Sequence, residues 1–193
     1  MRIEMETILA VITGIGLSAA CGFRVFVPLL ALNIASIYGY LNLAPGFDWM
    51  GGQYATIAFT SATILEIVAY YIPWLDNILD AIASPVSIIA GTIATASVIT
   101  DLPPSVKWIL AIIAGGGIAG IIQGATMSLR TKSSLLTGGL GNPLVATAEL
   151  AGSAIIALLA IIIPVICFML IASFAIFALY KTGRAFFVKM KLK

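Results

Sequence analysis

From Pro143 to Tyr180 the chain runs for roughly 38 residues with a single charged side chain, Glu149. As one straight helix this stretch would be about 57 Å long, nearly twice the hydrocarbon thickness of a bilayer. Only lipid can host so long an apolar run, and the rest of the sequence agrees. The 193 residues are 61% hydrophobic and 9% charged, with a mean hydropathy of +1.13. A soluble domain needs about a quarter charged residues to cover its surface. The sequence is therefore read as an all-α, polytopic integral membrane protein of about five to seven membrane segments, one transmembrane domain over residues 1–193.

Pro164 divides the long run, yet the text around it, AIIIPVICF, offers no polar turn. That predicts a broken or re-entrant helix whose backbone is satisfied inside the protein. The first forty residues carry the same signature. Apolar segments at about 6–22 and 24–40 are interrupted at CGFR, where Gly22 is expected to free the backbone and Pro28 to start the next piece. Interrupted elements near both ends are a pointer to a transporter's midplane site.

Between them, a third segment covers about 54–72. Residues 73–84, PWLDNILDAIAS, are too short and polar to cross, and place Asp76, Asp80 and Ser84 on one helical face. They read as an interfacial amphipathic helix. Further segments cover about 85–100 and 106–128. The second of these carries Gly116, Gly120 and Gly124 four apart, a spacing that lets helices approach closely, here within one chain in preference to a dimer seam. RTKSSLLTGGLGNP, 130–143, reads as a loop, and its Arg130 and Lys132 place it in the cytoplasm.

The tail 181–193 holds Lys181, Arg184, Lys189, Lys191 and Lys193 with no acid among them. Beside a span, such a tail marks a cytoplasmic C-terminus and contacts anionic membrane lipids, in preference to nucleic acid. The expected location is the plasma membrane, multi-pass. LSAAC at 17–21 faintly resembles a lipoprotein cleavage site, but no basic region precedes it and the apolar run continues beyond. Histidine is absent, which removes histidine-ligated haem, the usual zinc sites and any Ser-His-Asp triad. No cofactor is expected, and Cys21 and Cys167 have no metal-ligand spacing.

Few ionisable residues remain inside the segments: Arg24, Glu66 and Glu149, with Asp76 and Asp80 at the rim. Each costs roughly 2.5–3.5 kcal/mol at a helix centre, so an idle one is disfavoured. Thr56, Thr60, Thr63, Glu66 and Tyr70 share a helix face, as do Ser87, Gly91 and Thr95. These stripes either line a wet cavity or bond across a helix interface. Arg24, Glu66 and Glu149 either form a buried ion-pair cluster or bind an anion and relay protons.

Three stretches resemble a family of prokaryotic polytopic membrane proteins defined by a domain of unknown function, number 4126. They are GLSAACGFRVFVPLL (16–30), ILEIVAYYIPWLDNILDAIASP (64–85) and GNPLVATAEL (141–150). The family pattern is matched by Gly22, Arg24, Phe26 and Pro28, by Glu66, Ile72, Pro73, Leu75, Asp76, Asp80 and Pro85, and by Asn142, Pro143 and Glu149. Tyr71 stands where members often have Lys, and Leu150 where they often have a second acid. The resemblance groups these residues and implies no activity.

The leading functional expectation is a small permease or flippase-like carrier for an anionic or polar solute. Arg24 binds the anion, Glu66 and Glu149 couple protons or ions, Asp76 and Asp80 stand at the mouth, and Asn142 belongs to the same site. The alternative is a non-catalytic accessory subunit, with partner membrane subunits or a homo-oligomer. An enzyme ranks third, since no nucleophile or metal constellation is visible.

Overall fold

A computed structural model describes the backbone of residues 2–191, and the side chains of these residues except 2–3, 73, 74, 76, 77, 178, 179 and 181–191. It is helical throughout, with no strand among the described residues. In chain order the helices are α1 (Arg2–Phe23), α2 (Phe26–Ile37), α3 (Gln53–Tyr70), α4 (Pro73–Val98), α5 (Pro104–Leu110), α6 (Gly117–Thr137), α7 (Asn142–Ile162) and α8 (Pro164–Lys191). A π-helical turn, Ala111–Gly116, joins α5 to α6, so that Pro104–Thr137 is one helical rod of 34 residues. A short 3₁₀ turn, Asp48–Gly51, precedes α3.

Among the described residues, four helices are long and apolar enough to cross a membrane: Glu4–Phe23, Ile78–Val98, Pro104–Thr137 and Asn142–Ile162. They are the core of the molecule, and α1 touches the other three. Small residues set the approach. A Cβ at Gly14 would lie 2.9 Å from Thr95 Cα, and one at Gly16 would lie 2.5 Å from Ala160 Cβ. Short hydroxyl side chains then bond across the seams. Thr95 Oγ1 donates to the Gly14 carbonyl at 2.9 Å, Ser153 Oγ donates to Ala20 at 3.0 Å, and Ser18 Oγ donates to Gly115. In lipid, close packing and such bonds hold helices together, because apolar burial alone gives no preference for helix over lipid. These pairings also fix direction: α4 and α7 run antiparallel to α1, while α6 runs parallel to it.

The stripe Ser87, Gly91, Thr95 is thus a helix interface and not a cavity wall. Of the three glycines spaced four apart, Gly116 at the end of the π-helical turn packs on Thr92 and Ile88 of α4 and Gly120 of α6 on Ile88, whereas Gly124 has open space beside it. The seam lies within the chain for the first two only.

Both expected breaks are present. The second falls at Ile163, with φ −137° and ψ 67°. Beyond it α8 folds back along α7, bringing Cys167 Sγ to 3.6 Å from the Ile156 carbonyl. No polar turn is needed, since Ile163 N–H donates to Leu159 at 2.8 Å and its carbonyl accepts from Cys167 N–H at 3.1 Å. Proline at 164 has no N–H to leave unsatisfied. The first break falls at Arg24–Val25, and Pro28 lies in the first turn of α2.

Gly22 does not open this break. It lies within α1, without positive φ, and serves as a contact: a Cβ there would meet Ile122 Cβ at 2.6 Å and the Ala119 carbonyl at 2.7 Å.

Two boundaries differ from the sequence reading. Residues 73–84 do not stop at Pro85; the helix passes through it to Val98. The stretch 130–143 is mostly not a loop, because α6 continues to Thr137 and the turn is confined to Gly138–Gly141. Gly138 and Gly139, with φ of 62° and 91°, supply the left-handed backbone that ends the helix.

Candidate functional site

The turn at Gly138–Gly141 leaves the end of α6 and the start of α7 side by side, and α4 begins on the same side because it runs antiparallel to α6. Each of these helices carries one ionisable residue seven positions from that end: Asp80 counted from Pro73, Arg130 from Thr137, Glu149 from Asn142. Seven residues of helix are roughly 10 Å. The charges therefore share a layer about a third of the way into the bundle, nearer one face than the midplane.

Arg24 joins this layer from the break after α1. It is 2% exposed, and its guanidinium Nη2 donates to the Ala146 carbonyl at 2.9 Å and lies 3.4 Å from Glu149 Oε2. Glu149 is shared. Arg130 grips it with two nitrogens, Nε to Oε1 at 2.9 Å and Nη2 to Oε2, while Arg130 Nη1 is 3.7 Å from Asp80 Oδ1. Both guanidinium groups lie over the ring of Tyr70, at 3.7 Å for Arg24 and 4.2 Å for Arg130. Delocalised, weakly hydrated guanidinium suits this stacked and bidentate arrangement, where a Lys would not. A desolvated cation–π contact contributes about 2 kcal/mol.

The donors are not all used. Arg24 Nε and Nη1 and Arg130 Nη1 are buried with no hydrogen-bond partner among the described residues. A buried polar group without a partner costs roughly 1–3 kcal/mol, more when it is charged.

Glu66 does not pair with Arg24 directly. It caps the broken chain instead: its two carboxylate oxygens accept the N–H groups of Val25 at 2.8 Å and Phe26 at 3.1 Å, at the N-terminus of α2. A carboxylate at a helix N-terminus satisfies orphan donors and complements the helix dipole. Thr56, from the same stripe, donates to Asn33 Oδ1 at 2.8 Å, so that stripe is largely an α2–α3 interface.

The remaining expected site residues are placed as follows. Asp80 is within the cluster through Arg130. Asn142 is buried at the start of α7, where its Nδ2 donates to Ser134 Oγ at 3.0 Å. The side chain of Asp76 and the basic side chains from Lys181 onward lie outside the described residues.

Arg130 is the residue the sequence reading missed as a site member. A signal for it existed: Gln123, Thr126 and Arg130, spaced three and four apart, are one buried polar stripe on α6. Extending the helical period past Met127 into SLRTKSSLLT, up to the first glycine, would have kept Arg130 inside the helix.

No curated protein and no solved structure matches this chain. A family model, the domain of unknown function DUF4126, matches residues 11–184 and so covers every residue of the arginine cluster. The protein is a helical, membrane-embedded member of the DUF4126 family.

Proposed function

We propose that the protein is a carrier for an anionic or polar solute, with Arg24 and Arg130 as its anion-binding pair. The observation that carries this reading is Arg24, 2% exposed, with two of its three guanidinium nitrogens lacking an acceptor. An acceptor-bearing anion would supply what Glu149 and Ala146 leave unmet.

Charge balance supports proton coupling. Arg24 and Arg130 are offset by Glu149 and Asp80, while the charge of Glu66 faces the N-terminus of α2. Adding one anion to a balanced cluster leaves a net charge inside the membrane. Taking a proton onto a carboxylate at the same time removes it. Glu149 suits that role, since the incoming anion competes with it for both arginines. The groups facing it are Arg24, Arg130, Asp80, Tyr70 and Glu66. The reaction is then one anion and one proton moved together, with no catalytic chemistry.

The orientation proposed is a cytoplasmic C-terminus in the plasma membrane. Lys132 near the end of α6 and the basic C-terminal end of α8 belong to one side in this orientation, because α7 and α8 run out and back between them.

The test is flux of radiolabelled anions in proteoliposomes. Wild type is expected to transport, and to do so faster with an inward proton gradient. Arg24→Gln is expected to abolish flux in a folded protein, and Glu149→Gln to uncouple flux from the gradient. Anion flux that persists unchanged in Arg24→Gln would sink the reading.

A second reading, an accessory subunit, is favoured by an apolar groove of about 730 Å³ between α2 and α7. It is lined by Leu30, Ile34, Leu158 and Ile162 with Tyr38 and Tyr40 at its end, and a partner helix would fit it. Co-purification of a second membrane chain in mild detergent, lost on Leu158→Trp, would support that reading over transport.

A further inference from the structure

Resting on the anion-carrier reading, we propose that the solute is an amphiphile of the bilayer itself, an anionic phosphate or carboxylate head on a hydrocarbon chain. It is admitted sideways through a crevice between α3 and α4. The crevice holds about 360 Å³ and lies between Ala62, Leu65 and Ala69 of α3 and Leu79, Ile82 and Ala83 of α4. Its rim faces the apolar exterior, with Leu65 69% and Ile82 54% exposed. Glu66 and the buried Tyr70 line it too, beside Val25 and Phe26 at the break. The arginines lie over the Tyr70 ring.

A hydrated ion crossing this space would meet apolar walls and one carboxylate. Water needs two to four polar partners to occupy a buried site, and apolar cavities of this kind stay dry. A hydrocarbon chain needs none, and each methylene it buries strengthens binding. The sign of the head follows from the unmet hydrogen bonding. Both Glu66 oxygens already accept backbone N–H groups, so they do not call for a cation. Arg24 Nε and Nη1 do call for acceptors. Tyr70 is the partition, and a head that reaches the guanidinium groups must turn its ring.

The test uses a diazirine-bearing dodecyl phosphate probe, with a dodecyl trimethylammonium probe as its opposite-charge twin, in phosphatidylcholine nanodiscs. Labelled peptides are mapped in wild type, Ala83→Phe and Arg24→Gln. Thermal unfolding checks the fold, and Ala62→Leu replaces Ala83→Phe if the latter is unfolded. The phosphate probe is expected to label 62–69 and 79–86. This labelling should fall about tenfold in Ala83→Phe, the loss of roughly two buried methylenes, and in Arg24→Gln.

Labelling unchanged in Ala83→Phe, or equal labelling by the ammonium probe, overturns the proposal. Methyl phosphate flux separates its failure from that of the carrier reading. If flux needs Arg24 but ignores the crevice variant, the carrier stands and the amphiphile falls; if neither methyl phosphate flux nor dodecyl phosphate labelling needs Arg24, both fall.

Discussion

Glu66 shows what one side chain can do where a membrane helix is interrupted. Val25 and Phe26 open α2 within the membrane-embedded part of the fold, where water cannot serve their N–H groups, and the Glu66 carboxylate takes both. Glu66→Ala is therefore expected to cost about 1–2 kcal/mol, the usual value of a lost N-terminal cap. Reversible unfolding in mixed micelles would measure it, with Glu66→Gln keeping part of the stability and Glu66→Ala losing most. An unchanged midpoint in Glu66→Ala would show that α2 needs no cap.

That Arg24, Glu66 and Glu149 are bonded within the bundle was legible in the sequence, because an ionisable residue in an apolar segment stands out against its price in lipid. Their grouping was only half legible. Arg24 and Glu149 meet, but the bidentate partner of Glu149 is Arg130, which sits beside Lys132 and a run of serines and so resembles a solvated helix end. Sequence shows that a charge is expensive; only the fold shows which opposite charge stands next to it.

At the scale of helices, glycine spacing was a correct signal with the wrong extent. Gly22 meets Ile122 and Ala119 of α6, while Gly124 meets nothing within 4 Å. Gly22→Leu is expected to force α1 and α6 apart and to destabilise by at least the roughly 1–3 kcal/mol of an overpacked core. Gly124→Ala is expected to be neutral or to stabilise α6 by up to about 1 kcal/mol through helix propensity. Comparing the two by thermal unfolding checks the seam, and equal losses would refute it.

The two over-long apolar runs announced their breaks because length is a hard constraint in a bilayer. The α4 boundary was not legible in the same way. Pro85 and two aspartates suggested a stop, yet a proline inside a helix can be tolerated when neighbouring helices satisfy the freed backbone.

For the whole molecule, the antiparallel order of the core helices places the Ile99–Pro103 connection opposite the Gly138–Gly141 turn. Leu140, 87% exposed, and the exposed Asp101 are markers for the two faces. With native Cys21 and Cys167 buried, Leu140→Cys and Asp101→Cys are expected to react with a membrane-impermeant maleimide from opposite sides, Leu140→Cys from the cytoplasm. Labelling of both from one side would contradict the bundle.

The shared layer of Asp80, Arg130 and Glu149 also bears on how the chain is made. Arg24 is synthesised 125 residues before Glu149 (149 − 24), and Arg130 still 19 before it (149 − 130). Until the seventh helix leaves the translocon, both arginines lack their common carboxylate. Arg24 is then expected to wait against the face of Tyr70 until Arg130 and, last, Glu149 complete the cluster. A chain truncated before α7 is thus expected to leave the arginine cluster open, whatever its earlier helices have done.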